Sequence, residues 1–209
     1  MKLHFMMVRK RACADHLWKV KVPIKNHTAK TEDRIVTTQD IINFLKRKNS
    51  SLHTPGNISI PLCSPIETPH QNLPIDPYVL GVLIGDGCLT GDTVMLSNTN
   101  TELLERVRAF VSHNQTKLTF IESSRCDYRI SKIEHHNSCP PTSNPITLKL
   151  KQLGLMGVYS YTKFIPLQYK SGSLHQRMEL LRGLMDTDGT VDSRGHVSYT
   201  TTSHQLAKD

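Results

Sequence analysis

The chain has 209 residues and a mass of 23.6 kDa, enough for one large or two small domains, which excludes fibrous proteins and short disulfide frameworks. Its 26 Lys and Arg residues outnumber the 18 Asp and Glu residues, and the formal net charge is +8. This positive excess favours a polyanionic partner, with nucleic acid as the leading candidate.

The cysteine content and the hydropathy pattern together indicate a cytoplasmic protein that does not enter a membrane. Five cysteines form an odd number at irregular spacing, and residues 8–11 read Val-Arg-Lys-Arg where a secretory signal would need an apolar stretch. No apolar run approaches the roughly 18 residues of a membrane-spanning helix.

A proline-rich break divides the chain near residue 70. Prolines at positions 55, 61, 65, 69, 74 and 77 prevent a long helix or a central strand there. We therefore expect one domain over residues 1–68, a linker over 69–75 and a second domain over 76–209. In the first domain, alternation over 16–22 predicts a strand, and Thr37 to Asp40 should cap a helix over 41–47.

The second domain begins with a helix that is apolar on nearly every face. Asp76 is its expected N-cap, and the helix should end at Asp86-Gly87. Further expected elements are a hairpin over 88–98, an amphipathic helix from Thr101 to His113 and a strand over 125–131. Helices opened by Asn144 and Ser173, a strand over 194–202 and a helix capped by Ser203 complete the pattern.

Two helix-ending segments repeat each other without a gap at an offset of 102 residues. Val79–Gly87 aligns with Leu181–Gly189, so Gly81 matches Gly183 and Asp86 matches Asp188. Glycine inside a helix costs roughly 1 kcal/mol relative to alanine, so its use at matched positions needs a reason. We expect Gly81 and Gly183 to let the two helices pack closely as a pseudo-symmetric pair.

That packing would bring Asp86 and Asp188 together at two helix C-termini, where the macrodipole disfavours carboxylates. Two such carboxylates repel each other unless a cation lies between them. A hard divalent ion such as Mg²⁺ relieves both penalties, and it also assists phosphodiester hydrolysis.

These repeated motifs resemble the LAGLIDADG homing endonucleases, and more narrowly the DOD-type endonuclease inserted in inteins. Between the repeats, Leu153 to Gly157 followed by Ser160 to Pro166 resembles the family's intervening block, in which a lysine precedes Ile-Pro. The resemblance implies a mixed α/β fold of pseudo-symmetric αββαββα repeats. It further implies metal-holding acids Asp86 and Asp188, an active-site lysine Lys163 and a double-stranded DNA substrate.

The first domain resembles part of a β-rich, Hint-type intein splicing domain. Cys13-Ala14-Asp15-His16 is similar to its Thr-x-x-His block, and residues 34–42 resemble the segment that follows. His16 would then polarise the peptide bond that splicing breaks, and the host exteins would be partners. Because residue 1 is neither Cys nor Ser and no His-Asn pair ends the chain, we expect a fragment. Such a fragment would have a shortened second repeat, lack a C-terminal intein portion and be unable to splice in cis.

Basic side chains on the expected outward faces of corresponding strands suit a concave sheet that enters the DNA major groove, and they are Arg125, Arg129, Arg194 and His196. A zinc site is the alternative use of Cys126, His135, His136 and Cys139, but their spacing matches no tetrahedral pattern. The sequence thus predicts a site-specific endonuclease embedded in an intein. A decayed splicing-only relic, a non-cleaving DNA-binding module and an RNA maturase remain alternatives.

Overall fold

The computed structural model describes residues 12–23, 31–47, 58–61, 64–133 and 143–209. It divides the chain into two compact units, His4–Pro65 and Ile66–Asp209, here called the N-terminal and C-terminal units. His135, His136 and Cys139 of the zinc alternative lie outside the described residues. Within the described residues, no helix combines the length and the apolarity that crossing a membrane would require.

The N-terminal unit contains an antiparallel hairpin and one helix. Strands β1 (Leu17–Pro23) and β2 (Thr31–Thr37) pair in register, and helix α1 (Thr38–Arg47) follows directly. The helix begins three residues before the expected start because Thr37 and Asp40 cap it reciprocally. The Asp40 carboxylate accepts from the Thr37 backbone N–H at 3.0 Å, and the Thr37 hydroxyl accepts from the Asp40 N–H at 3.1 Å.

The C-terminal unit opens with helix α2 (Pro77–Gly85), which has the predicted boundaries. The Asp76 side chain accepts from the Val79 N–H at 3.1 Å, and Pro77 occupies the first turn. Residues 78–84 are all buried, as expected for a helix that is apolar on nearly every face.

The predicted αββαββα unit follows from α2 onward. The elements after α2 are β3 (Gly87–Cys88), β4 (Met95–Ser97), α3 (Thr101–His113), β5 (Thr116–Phe120), β6 (Asp127–Lys132) and α4 (Pro145–Gln152). The strands form a four-stranded antiparallel sheet with the order β3-β4-β6-β5. Helix α3 is amphipathic, as expected, and it buries Leu103, Leu104, Val107 and Val111.

The second repeat is described through its first helix and hairpin. Short helix α5 (Leu167–Lys170) leads into α6 (Leu174–Asp188), which is opened by a capping box between Ser173 and Gln176. Strands β7 (Gly189–Val191) and β8 (Val197–Tyr199) then pair antiparallel.

The strand expected over 194–202 is wrong at its N-terminal end, because Arg194 and His196 lie in the β7–β8 turn. The Asp192 carboxylate accepts from the backbone N–H groups of both residues, at 2.8 and 2.9 Å. Such a local side-chain turn competes with strand pairing. After β8, Ser203 caps a helical turn by accepting from the Leu206 N–H at 3.1 Å.

The two repeats share hydrogen bonds beyond the motif visible in the sequence. The Ser97 N–H donates to the Asp86 carbonyl at 3.3 Å, and the Thr200 N–H donates to the Asp188 carbonyl at 3.2 Å. Ser97 and Thr200 are 103 residues apart rather than 102, because the second hairpin holds one extra residue. Gly87 pairs with Leu96, whereas Gly189 pairs with Tyr199.

Residues 68–75, which include the whole of the expected linker, are held by hydrogen bonds within the C-terminal unit. The Thr68 hydroxyl donates to the Gly172 carbonyl at 2.6 Å, and the Gln71 N–H donates to the Gln176 side chain at 3.0 Å. The buried Tyr169 hydroxyl donates to the Ile75 carbonyl at 2.8 Å. These contacts hold the segment before α2 against α5 and α6.

Helices α2 and α6 pack backbone to backbone where their glycines meet. A Cβ atom at Gly81 would lie 2.3 Å from the Leu180 carbonyl oxygen, and one at Gly183 would lie 2.1 Å from the Tyr78 carbonyl oxygen. No real Cβ approaches an oxygen so closely, so any larger residue would force the helices apart.

We predict that Gly183→Ala lowers the free energy of unfolding by about 2–3 kcal/mol, because overlap with the Tyr78 carbonyl outweighs the better helix propensity of alanine. Urea denaturation followed by circular dichroism measures this. Gly91→Ala is the matched control, since a Cβ there meets only one atom, at 4.0 Å, and should change stability by less than about 0.5 kcal/mol. Equal stability of the two variants would contradict the close packing.

Candidate active site

Two acidic side chains lie at adjacent helix ends. Asp86 is the C-cap of α2, and Asp188 is the last residue of α6. Both are partly buried. Burial raises the pKa of each carboxyl group, and the charge of Asp86 raises that of Asp188 further. The helix packing therefore brings two carboxylates within repulsive range at a position where the helix dipoles also disfavour them.

Asn98 supports the first carboxylate. Its side-chain N–H donates to Asp86 Oδ2 at 2.6 Å, and this bond opposes the effect of burial on the Asp86 pKa. Asn98 directly follows β4, and the Asn98 Oδ1 accepts from the Asn100 N–H at 2.7 Å, which fixes the orientation of the amide. Sequence reasoning missed this residue, because the only signal is its place at the end of the hairpin that follows the acidic motif.

Lys163 lies against the end of α2. It is 5% exposed, and its amine donates to the Gly85 carbonyl at 3.0 Å and the Gly87 carbonyl at 2.7 Å, on either side of Asp86. Burial lowers its pKa, while the charges of Asp188 and Asp86 act in the opposite direction. Two of its three N–H groups are thus used, which leaves one for a further acceptor.

The backbone around Lys163 is held by the second repeat. The Ser203 hydroxyl donates to the Lys163 carbonyl at 2.6 Å, and the Ile165 N–H donates to Asp209 Oδ2 at 2.8 Å. Asp209 also pairs with Lys170 at 2.8 Å. The lysine is therefore positioned by contacts from residues 40 or more positions away along the chain.

A cavity of about 240 Å³ opens beside these groups and includes Asp86 and Lys163 in its lining. The exposed Cys88 thiol also lines it, and its pKa is lowered by a hydrogen bond with the Thr90 hydroxyl. Asp86 and Lys163 therefore share one recess at the end of α2.

The donor set fits a hard divalent cation. Among the described residues, no three His, Cys, Asp or Glu side chains cluster as metal ligands. Two carboxylates are nevertheless the usual protein contribution to Mg²⁺ sites that also bind substrate phosphates. Asp86 and Asp188 would hold the ion, and backbone carbonyls, water and phosphate oxygens would supply the remaining ligands.

The basic residues expected to contact DNA are exposed, but they do not share one sheet face. Arg129 lies on β6 and points away from the core, because its neighbour Ile130 is fully buried. Arg125 lies in the turn before β6, and Arg194 and His196 lie in the β7–β8 turn. The expectation that these residues lie on corresponding strands of the two repeats is wrong. Arg129 lies on β6, whereas the strand that follows Arg194 and His196 is β8, which corresponds to β4.

His16 belongs to the N-terminal unit, next to β1. Its exposed ring packs edge-on against Trp18 with centroids 4.7 Å apart, and the Trp18 indole donates to the Thr38 hydroxyl at 2.9 Å. Cys13, at the start of the same motif, is an exposed free thiol. The two ends of the Cys13–His16 motif are close, since the His16 N–H donates to the Cys13 carbonyl at 3.2 Å.

The part of this site that contains Asp188 lies in a segment that matches a known protein family. Residues 175–209 match the LAGLIDADG-like domain family. The matched segment contains most of α6, all of β7 and β8, and Asp188. Because the LAGLIDADG family consists generally of nucleases, the match supports a homing endonuclease domain in this part of the chain.

The chain is also similar to curated replicative helicases. It is 29% identical to the replicative DNA helicase DnaB of Mycobacterium intracellulare, over 73% of this chain and 21% of that protein. The corresponding protein of Synechocystis sp. is 32% identical over 63% of this chain, and that of Rhodothermus marinus 30% over 63%. The matched regions are 16% and 15% of those two proteins, so the chain spans about a fifth or less of these relatives.

We predict that Asp188→Asn stabilises the metal-free protein at neutral pH by less than about 1 kcal/mol, because both carboxylates keep partial solvent access. Because the pKa of Asp188 is raised in the folded state, the wild-type protein loses stability as the pH rises through that pKa. The difference in the free energy of unfolding between Asp188→Asn and the wild type should therefore be near zero in acid and grow as the pH rises.

Urea denaturation in EDTA across a pH series measures this gap, and Asp192→Asn is the control of opposite sign. Hydrogen bonds from the His196 backbone and side chain lower the pKa of Asp192, so it contributes stability that is lost as pH falls. A destabilising Asp188→Asn at neutral pH would contradict the repulsion between the acids.

Proposed function

We propose that this chain carries a site-specific double-strand DNA endonuclease of the homing type, embedded in an intein and using Mg²⁺. The observation that carries the proposal is that Asp86 and Asp188 lie at the ends of two closely packed helices. The Lys163 amine lies beside Asp86 and donates hydrogen bonds to the carbonyls of Gly85 and Gly87. A purely structural role does not explain why two carboxylates that repel each other are placed at the negative ends of two helices.

The proposed mechanism is hydrolysis by a water molecule that attacks phosphorus in line with the leaving oxygen. Asp86 and Asp188 would hold Mg²⁺, which would stabilise the phosphate as a Lewis acid and activate water. Asn98 orients Asp86 through its hydrogen bond to Oδ2. Lys163 uses its remaining N–H to orient the attacking water or to stabilise charge on the phosphate, and its lowered pKa eases proton transfer at Nζ.

Double-stranded DNA is the proposed partner of the β3-β4-β6-β5 sheet. The face opposite the helices carries Arg129, and the neighbouring turn carries Arg125. Positive side chains on an exposed sheet suit phosphate contacts and base readout in the major groove. Arg194 and His196 would extend this contact from the β7–β8 turn.

The intein context rests on two separate observations. The Cys13–His16 motif and residues 34–42 resemble a splicing domain, in which His16 would assist the first acyl shift. In addition, the chain matches a small part of much longer replicative helicases. We therefore propose that a replicative DNA helicase is the host and that its flanking segments are the exteins.

Cleavage of a randomised-target plasmid library in Mg²⁺ tests the nuclease. We predict cutting at a discrete target set by the wild type and a loss of about a hundred- to a thousandfold in Asp86→Asn, because one ligand charge at the reacting phosphate is removed. Asp92→Asn makes the same substitution in an exposed turn nearby and should cut like the wild type.

The outcome also separates the nuclease from its alternatives. No cutting by the wild type, together with retained salt-sensitive DNA binding, would identify a decayed relic or a non-cleaving binding module. Equal cutting by Asp86→Asn and the wild type would contradict the assigned acid pair.

Lys163→Met should lower the single-turnover cleavage rate by about a hundredfold or more, because an acid–base or charge-stabilising group at the phosphate is removed. The DNA dissociation constant should change by less than a few-fold, since Lys163 is buried rather than on the DNA-facing surface. Lys151→Met, on the exposed side of α4, is the control. A parallel loss of binding and rate would assign Lys163 to folding or DNA affinity instead.

A further inference from the structure

Tyr199 breaks the symmetry between the two repeats beside the acid pair. In the second hairpin Tyr199 pairs with Gly189, the residue after Asp188. In the first hairpin the equivalent partner of Gly87 is Leu96, which is fully buried. The second repeat therefore uses a tyrosine where the first uses a purely apolar side chain.

The hydroxyl of Tyr199 is buried and forms no hydrogen bond with the described residues. Its ring packs against the hydrophobic core, as Leu96 does in the other repeat. An unpaired buried hydroxyl costs free energy that a phenylalanine at the same position would avoid. The packing of the ring alone therefore does not explain the choice of tyrosine.

Tyr199 lies beside the end of α6, because it pairs with Gly189 and the next residue, Thr200, donates its N–H to the Asp188 carbonyl at 3.2 Å. Burial raises the pKa of Tyr199 above its usual range, and the charges of Asp188 and Asp86 raise it further. Both carboxylates therefore influence the phenol electrostatically, but neither accepts a hydrogen bond from its hydroxyl. A water molecule between the phenol and the carboxylates would satisfy the donor and both acceptors.

We propose that Tyr199 is a positioning residue of the acid pair, whose hydroxyl donates a hydrogen bond to water held by Asp86 and Asp188. If the pair binds a divalent cation, this water would belong to the hydration shell of the ion. The inference rests on the proposed function, because it takes the acid pair to be a cation site. It gives the second repeat a supporting group that differs from Asn98 in the first.

Titration of the whole chain with Mn²⁺ in the absence of DNA tests this proposal, with the free ion followed by its electron paramagnetic resonance signal. Mn²⁺ accepts the same carboxylate and water ligands as Mg²⁺. Tyr199→Phe should bind Mn²⁺ about tenfold more weakly than the wild type, as for other outer-shell partners of metal sites. Tyr128→Phe removes a hydroxyl from a comparable strand position packed on the same core and should leave the affinity unchanged.

A thermal melt of each metal-free variant separates a positioning role from a structural one. Tyr199→Phe should melt within about 2 °C of the wild type, because the lost hydroxyl has no hydrogen-bond partner in the part of the chain that the structure describes. A clear fall in the metal-free melting temperature would assign the hydroxyl to folding and overturn the proposal.

Asp188→Asn separates failure of this inference from failure of the proposed function. If Asp188→Asn loses Mn²⁺ binding while Tyr199→Phe binds as tightly as the wild type, only the role of Tyr199 is overturned. If the wild type shows no saturable binding of Mn²⁺, both the role of Tyr199 and the proposed cation site are overturned.

Discussion

The arrangement of the C-terminal unit depends on the backbone contact between α2 and α6. At Gly81 and Gly183 each helix lies so close to a carbonyl of the other that no Cβ fits. This distance sets where the helices end relative to each other, and their last residues carry Asp86 and Asp188. A wider helix pair would separate the carboxylates. The two glycines, which weaken each helix taken alone, are therefore what makes a two-carboxylate site possible.

The site keeps an electrostatic arrangement that folding alone would not favour. Both acids are partly buried at negative helix ends, and Asp86 raises the pKa of Asp188. Asn98 opposes this effect at the first helix end, and the charge of Lys163 lowers the pKa of both carboxyl groups. Repulsion that persists in the folded protein is common where a charged ligand completes the site.

The repeats share a common backbone frame but differ in the side chains that support it. Matched hydrogen bonds hold the segment after each hairpin to the helix end, at the Asp86 and Asp188 carbonyls. Asn98 and Lys163 form hydrogen bonds at the end of α2, whereas Tyr199 lies beside the end of α6. The two carboxylates consequently have different surroundings, so the pseudo-symmetry of the helices does not extend to the chemistry of the site.

Local interactions explain how much of this protein the sequence alone determined. Asp76, Asn144 and Ser173 cap their helices through bonds that span no more than three residues, so the starts of α2, α4 and α6 could be predicted directly. The acidic repeat followed from the alignment of two segments of the sequence, and the αββαββα unit from the family resemblance that this repeat carries. The turn at Arg194 and His196 escaped because Asp192 bonds their backbone where alternation predicts a strand.

Only the tertiary structure decided which groups surround the acids. Lys163 reaches carbonyls 76 and 78 residues away, and Ser203 holds the backbone of Lys163 from 40 residues away. The orphaned Tyr199 hydroxyl depends likewise on packing against distant elements. Spacing along a chain encodes contacts within one helix or hairpin, whereas contacts at such separations exist only after the core has brought the elements together.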